Sequence, residues 1–226
     1  EFHYPSQVNP NWSDDLEAFY RDTLTSLGYI HEVEAGFGEQ EAGVYQVKYV
    51  EAAQEDYEYT RMRRQDTWVY TIGVDWNDTK IGTCIRILGW NPGDGLFYCV
   101  DEQVVRREGW TQLAACQKIA DLNRLWRPKW IYVDAGYGHM QVEILHKYGL
   151  DARVDKTRGP NHPDAKLATI VKPYQFGGSV EIKDPFTKQP IKKPAKAFMV
   201  ESSVRRFETS SIKYPKSDIS LTKALL

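Results

Sequence analysis

The order of short apolar runs between Trp68 and Gly149 constrains this chain more than any other feature. "WVYTIGVD" (68–75), "IGTCIRILGW" (81–90) and "LFYCVDEQVV" (96–105) are short and rich in β-branched and aromatic residues. Polar, turn-forming residues such as "NPGDG" (91–95) separate them. Such runs read as strands, and their tight connections make them an antiparallel meander with the first strand buried at its centre. Thr111 then N-caps "QLAACQKIADLNRLW", in which Leu113, Cys116, Ile119, Ala120 and Leu122 share a helical face, and Pro128 ends that helix. "KWIYVD" (129–134) is a further strand, and "GHMQVEILHKYG" (138–149) is an amphipathic helix that Gly149 is expected to stop.

Three antiparallel strands, a helix, and then a strand entering beside the first describe a ribonuclease H-like α/β fold. It is a mixed sheet flanked by helices, and right-handed crossovers make the layout natural. Further on, "KLATIVKPYQFG" suggests a strand or two, and "SVEIKDPFTKQPIKK" a β-hairpin insertion turning near Asp184–Pro185–Phe186–Thr187. Residues 195–208 have a helical period. Near the start, residues 13–28 read as a helix capped by Ser13 and stopped by Gly28, and the charged run 58–66 reads as a linker. The expected division is an N-terminal segment over 1–66 and a sheet domain over 67–226.

With 226 residues, 42% of them apolar and 27% charged, the chain can bury a core and is not disordered in composition. No apolar run approaches the roughly 20 residues that span a membrane. The N-terminus lacks a basic-then-apolar signal pattern, so a cytosolic protein without a membrane partner is expected. Cys84, Cys99 and Cys116 form no C-x-x-C pair and sit in strand or helix patterns, as buried free thiols do. The net charge of −2 is unevenly spread, with acids prevailing up to Asp56 and bases from Lys156 to Lys223. A basic half suits a polyanion, or is simply a solvated face.

Two of the strands, 68–75 and 129–134, end on an acid. In the expected sheet they are neighbours, so Asp75 and Asp134 would meet at one edge. Two close carboxylates repel, and divalent cations that favour oxygen ligands remove the conflict. Mg²⁺ commonly takes one or two carboxylates, with water and substrate phosphate completing its shell. Two ions about 3.5–4 Å apart can activate a water and stabilise a leaving oxygen in phosphodiester hydrolysis. Either acid alone reads first as a hydrogen-bonded strand-end cap, and it is the two together at neighbouring strand ends that favour the metal. Asp78, in the turn "NDTK", reads first as a local turn residue. In "DAGYGH" (134–139), Gly136 and Gly138 allow a tight turn and close approach of a nucleic-acid backbone, with His139 opening the helix.

"IGVDWNDTKIGTCIRI", "WIYVDAGYGHMQVEILHKYG" and "VKPYQFG" together resemble the C-terminal nuclease domain of the large terminase subunit of tailed viruses. The resemblance runs from about Trp68 onward, and "LGYIHEVEAGFGEQEAGVYQVKYVEAA" is similar to the end of that family's ATPase region. It implies a metal-dependent DNA endonuclease of weak sequence specificity that cuts concatemeric viral DNA during packaging in the host cytoplasm. Mg²⁺ or Mn²⁺ would be its cofactors, and double-stranded DNA, the portal and the small terminase subunit its partners. By motif, Asp75 is the first metal-binding acid and Asp134 the second. Asp218 and Glu201 are the nearest acids for a third ligand, and both depart from the family pattern. Asp218 also reads as an N-cap and Glu201 as a surface residue. There is no G-x-x-x-x-G-K-[ST] loop, so the resemblance implies the nuclease portion of a larger protein. Lys183, Lys188, Lys192, Lys193 and Lys196 would track the phosphate backbone. Phe186 and Tyr174 would stack on bases or pack.

Other readings stay open. Holliday-junction resolvases and transposase cores share the fold and the strand-end acids. "GVDWNDTKIGT" also resembles the phosphate loop of actin-like sugar kinases, although no second Gly-rich loop accompanies it. A non-catalytic docking module of a packaging motor is the third alternative.

Overall fold

The computed structural model describes residues 4–35, 44–76, 82–136, 138–155, 157, 161–183 and 188–225. Asp78, the hairpin turn and Phe186 lie outside the described residues. In chain order the elements are α1 (Asp14–Thr23), α2 (Ser26–Glu32), α3 (Val47–Ala52), β1 (Gln54–Glu55), β2 (Val69–Asp75), β3 (Gly82–Trp90) and β4 (Phe97–Arg106). Then come α4 (Gln112–Trp126), β5 (Trp130–Asp134), α5 (His139–Val154), α6 (Leu167–Ile170) and β6 (Val171–Tyr174). The chain continues through β7 (Ser179–Lys183), β8 (Pro190–Pro194), α7 (Ala195–Glu208), β9 (Ile212–Pro215) and α8 (Ile219–Leu225). Among the described residues no helix is long and apolar enough to cross a membrane.

Contacts divide the chain into two compact units. One is built from Glu55–Phe176 and Ile212–Ser217; the other from Glu1–Gln54, Gly177–Ser211 and Asp218–Leu226. Residues 177–211 cluster with the N-terminal segment by contacts.

The first unit holds the sheet, in the order β1-β9-β4-β3-β2-β5-β6. β2, β3 and β4 are antiparallel, β5 inserts parallel to β2, and β6 parallel to β5. This is the ribonuclease H-like order expected from the sequence. β9 joins the β4 edge in parallel, an addition the short run "SSIKYP" did not announce. β2 is central as expected, but it is buried on one face only. Tyr70, Ile72 and Val74 are buried while Val69, Gly73 and Asp75 are exposed, the period-two signature of a one-sided strand. Beneath that buried face, Ala115, Cys116, Ile119 and Ala120 of α4, Leu145 of α5 and Leu167 of α6 complete the core.

The ends of α4 follow local chemistry, whereas α5 departs from the expected stop. Thr111 Oγ1 accepts from the Ala114 amide at 2.9 Å, and Arg127 takes a left-handed φ of 49° just before Pro128, closing α4 at both ends. Gly149, expected to stop α5, lies inside it, and the helix runs on to Val154. A Cβ there would lie 2.3 Å from the Ala168 amide nitrogen, so the glycine is where α5 packs onto α6. That close packing outweighs the roughly 1 kcal/mol that glycine costs a helix. Asp164, almost fully buried, is paired with Arg124 at 3.1 Å and ties the segment before α6 to α4.

In the second unit the expected helix over 13–28 is two helices. Ser13 caps α1 through the Leu16 amide at 3.2 Å, but α1 ends at Thr23, and Thr25 caps α2 through the amide of Gly28. Gly28 is thus inside the second helix rather than a stop. Glu208 of α7 accepts from the Ser26 amide at 3.1 Å, Tyr45 donates to Ser203 at 2.9 Å, and Tyr45 packs edge-on against Phe207. β7 and β8 form the expected hairpin as a separate two-stranded sheet.

Candidate active site

The register of β2 on β5 brings the two strand-end acids to one place. Thr71, Ile72, Gly73 and Val74 face Trp130, Ile131, Tyr132 and Val133, and the next residue on each strand is an acid, Asp75 and Asp134. Neighbouring strands lie about 4.8 Å apart, and side chains at matching register share a face. Both acids belong to the open face, Asp75 exposed and Asp134 half-buried. Asp134 Oδ1 accepts from the Gly136 amide at 2.8 Å, which fixes that carboxylate over the turn following β5.

The same face carries Tyr132 and Trp130 on β5, Lys172 and Tyr174 on β6, and Cys84 and Arg86 on β3. Lys172 Nζ lies 5.1 Å from the Trp130 ring centroid, a cation over an aromatic face. Arg86 is paired with Glu102 of β4 at 2.8 Å. Burial, and then the charges of Asp75 and Glu102, push the Cys84 thiol up, so it stays a neutral neighbour of the acids.

Behind the acids lies a polar relay centred on Trp76. Its buried indole Nε1 donates to the main-chain oxygen of Asp134 at 3.0 Å. The Trp76 carbonyl accepts from Thr83 Oγ1 at 3.2 Å, and Trp110 Nε1 donates to that hydroxyl at 2.8 Å. Gly138 is buried against the same indole, where a Cβ would lie 2.1 Å from Nε1 and 2.5 Å from the Asp134 oxygen. The room left by Gly138 is therefore used inside the fold, whereas Gly136 is exposed. Sequence reasoning passed over Trp76 as part of a polar turn. The available signal was a large aromatic directly after a strand-end acid, in a stretch otherwise composed of turn residues.

The remaining candidates belong to the other unit. Lys183 and Lys192 share one face of the hairpin with Glu181, while Lys193 is on the opposite face and is paired with Glu201 at 3.8 Å. Lys188 and Lys196 are exposed, Lys188 with a left-handed φ of 57°. The lysines thus do not form a single row. Asp218 is buried, and its Oδ1 accepts from Ser220 Oγ and the Leu221 amide, both at 2.8 Å, as the N-cap of α8. Among the described residues no group of three or more His, Cys, Asp or Glu side chains is gathered to hold a metal.

By sequence, no protein-family model and no curated protein matches the chain. Among solved structures, the large terminase of a thermophilic bacteriophage matches with a TM-score of 0.50 at 13% identity, over 89% of this chain and 54% of that one. The P22 large terminase nuclease domain matches at 0.44 and 11% identity, over 81% and 77% of the two chains. The manganese-soaked human cytomegalovirus terminase nuclease domain matches at 0.40 and 13%, over 78% and 81%. This chain spans about half the length of the thermophilic phage protein. At such identities the likeness is one of fold, and the thermophilic phage terminase carries it. The chain is similar in fold to a phage large terminase, in keeping with the resemblance read from its strand-end motifs.

Proposed function

We propose that the chain is a metal-dependent DNA endonuclease domain that cuts viral DNA during genome packaging. The observation that carries this reading is the β2–β5 register, which runs directly into Asp75 and Asp134 on an open face. Two carboxylates suit hard, oxygen-preferring cations, and Mg²⁺ commonly accepts one or two protein carboxylates. Asp75 and Asp134 would hold Mg²⁺ or Mn²⁺. When bound, such ions activate a water and stabilise the leaving oxygen of a phosphodiester.

The protein's own part is to hold and orient the substrate. Lys172, exposed on the face of the acids, can take a phosphate, and Tyr132 offers it an aromatic surface. Gly136 leaves the backbone after Asp134 open to close approach. Lys183, Lys188, Lys192, Lys193 and Lys196 add sequence-independent phosphate contacts, which weaken as salt rises. Double-stranded DNA, the portal and the small terminase subunit are the partners this role implies.

Plasmid cleavage in Mg²⁺ or Mn²⁺ tests the reading. Asp75→Ala and Asp134→Ala are each expected to lose about 100-fold or more in rate while keeping the fold, the scale on which transition-state charge stabilisation is lost. Wild-type rates in both folded variants would remove the site. No cleavage by any version, even with Mn²⁺, would point to a docking module instead.

A further inference from the structure

We infer that Trp76 is a positioning residue that fixes the spacing of the Asp75 and Asp134 carboxylates through the main chain. The inference rests on the nuclease reading of the acid pair and assigns a role to a residue that acts on the backbone of the second acid.

The backbone ladder between β2 and β5 has its last matched pair at Val74 and Val133, one residue short of the acids. The next tie between the two strand ends is the indole bond, from the residue after Asp75 to the carbonyl of Asp134. Trp76 is 1% exposed, and a buried indole N–H requires an acceptor. Here the acceptor is the backbone of the second acid itself. The bond is supported from behind, because Thr83 on β3 holds the Trp76 carbonyl and Trp110 holds the Thr83 hydroxyl. Trp110 and Thr83 thus hold the main chain of Trp76 in place, and its indole in turn holds the main chain of Asp134. The turn after Asp134 is moulded to the same ring, since any side chain at Gly138 would collide with the indole nitrogen. The Gly136 amide further restrains the Asp134 carboxylate, and separating the two strand ends would break the indole bond to the Asp134 carbonyl. Chemistry of this kind tolerates about 0.5 Å of misplacement, and about 1 Å costs on the order of 100-fold in rate.

The test uses the full chain with Trp76→Phe, which keeps an aromatic ring and removes the donor together with part of the indole's bulk. Cleavage kcat and KM in Mg²⁺, Mn²⁺ affinity by electron paramagnetic resonance of the free ion, and thermal melting are measured together. The expected result is a folded protein with kcat lowered about tenfold or more, KM for DNA little changed, and weaker Mn²⁺ binding. Gly138→Ala, which disturbs the same bond from the other side, should reproduce that split. A folded Trp76→Phe protein with wild-type kcat and Mn²⁺ affinity would overturn the inference and leave the nuclease reading standing. Should the wild type bind Mn²⁺ but cut no DNA, the nuclease reading fails, and the Mn²⁺ titration alone decides whether Trp76 sets the acid pair. Should it neither bind nor cut, both fall. If Trp76→Phe does not fold, Thr83→Val breaks the line one link back and is read by the same measurements.

Discussion

Ile72, Ile85, Ile87, Ile119 and Ile131 are fully buried beneath the sheet, whereas α1, in the other unit, has no buried residue at all. The sheet unit is held by a continuous apolar layer between strands and helices. The other unit draws together segments far apart in sequence with polar ties, among them Glu208 to the Ser26 amide and Arg205 to Asp22 at 2.5 Å. Among the described residues its buried apolar side chains include Val50, Val204 and Phe207. The difference teaches where rigidity is invested. The carboxylate pair stands on the side with the dense core, whose stability scales with buried area. The side with the basic hairpin relies on exposed hydrogen bonds and ion pairs that are individually weak.

Mutations on the two sides should therefore differ in scale. Ile119→Ala, beneath the sheet, should cost about 2–5 kcal/mol by urea unfolding, because it empties a fully enclosed site. A loss below about 1 kcal/mol would show that this core is looser than its burial suggests. Tyr45→Phe in the other unit removes the bond to Ser203 while keeping the ring against Phe207. It should cost about 1 kcal/mol or less, and a loss as large as that of Ile119→Ala would erase the contrast. The smallest effect is chemical. Burial pushes the Cys116 thiol up to about 12, so it should resist alkylation until the protein unfolds. Cys84, held up by burial and then by Asp75 and Glu102, should react slowly at pH 8. Asp75→Asn removes one of those negative charges, so the thiolate forms more readily and alkylation should quicken. An unchanged rate would separate Cys84 from the acid pair.

The same contrast explains what could be read from the sequence. From β2 to α5 the elements are contiguous and strongly periodic, so their order, the cap at Thr111, and the position of Asp75 and Asp134 at the ends of neighbouring strands were legible. Gly149 and Gly28 misled for different reasons, Gly28 because α1 has already ended at Thr23 and the Gly28 amide donates to Thr25, the cap of the next helix. At Gly149 the approach of Ala168 lets the helix continue. The grouping of residues 177–211 with the N-terminal segment was not legible, because side-chain ties such as Tyr45 to Ser203 leave no period in either stretch. Trp76 was hidden for a related reason. Its partner is a main-chain carbonyl 58 residues away, and no sequence pattern marks such an acceptor.

The return of the chain at β9 has a consequence for biosynthesis. β4 is a long strand whose outer side is met by Ile212 and Lys213, and these residues leave the ribosome only after the whole of 177–211. Until then the nascent chain carries an unpaired strand edge, the kind of template on which other chains can add. Vectorial synthesis thus leaves the Phe97–Tyr98 end of β4 open to such pairing until β9 has been made.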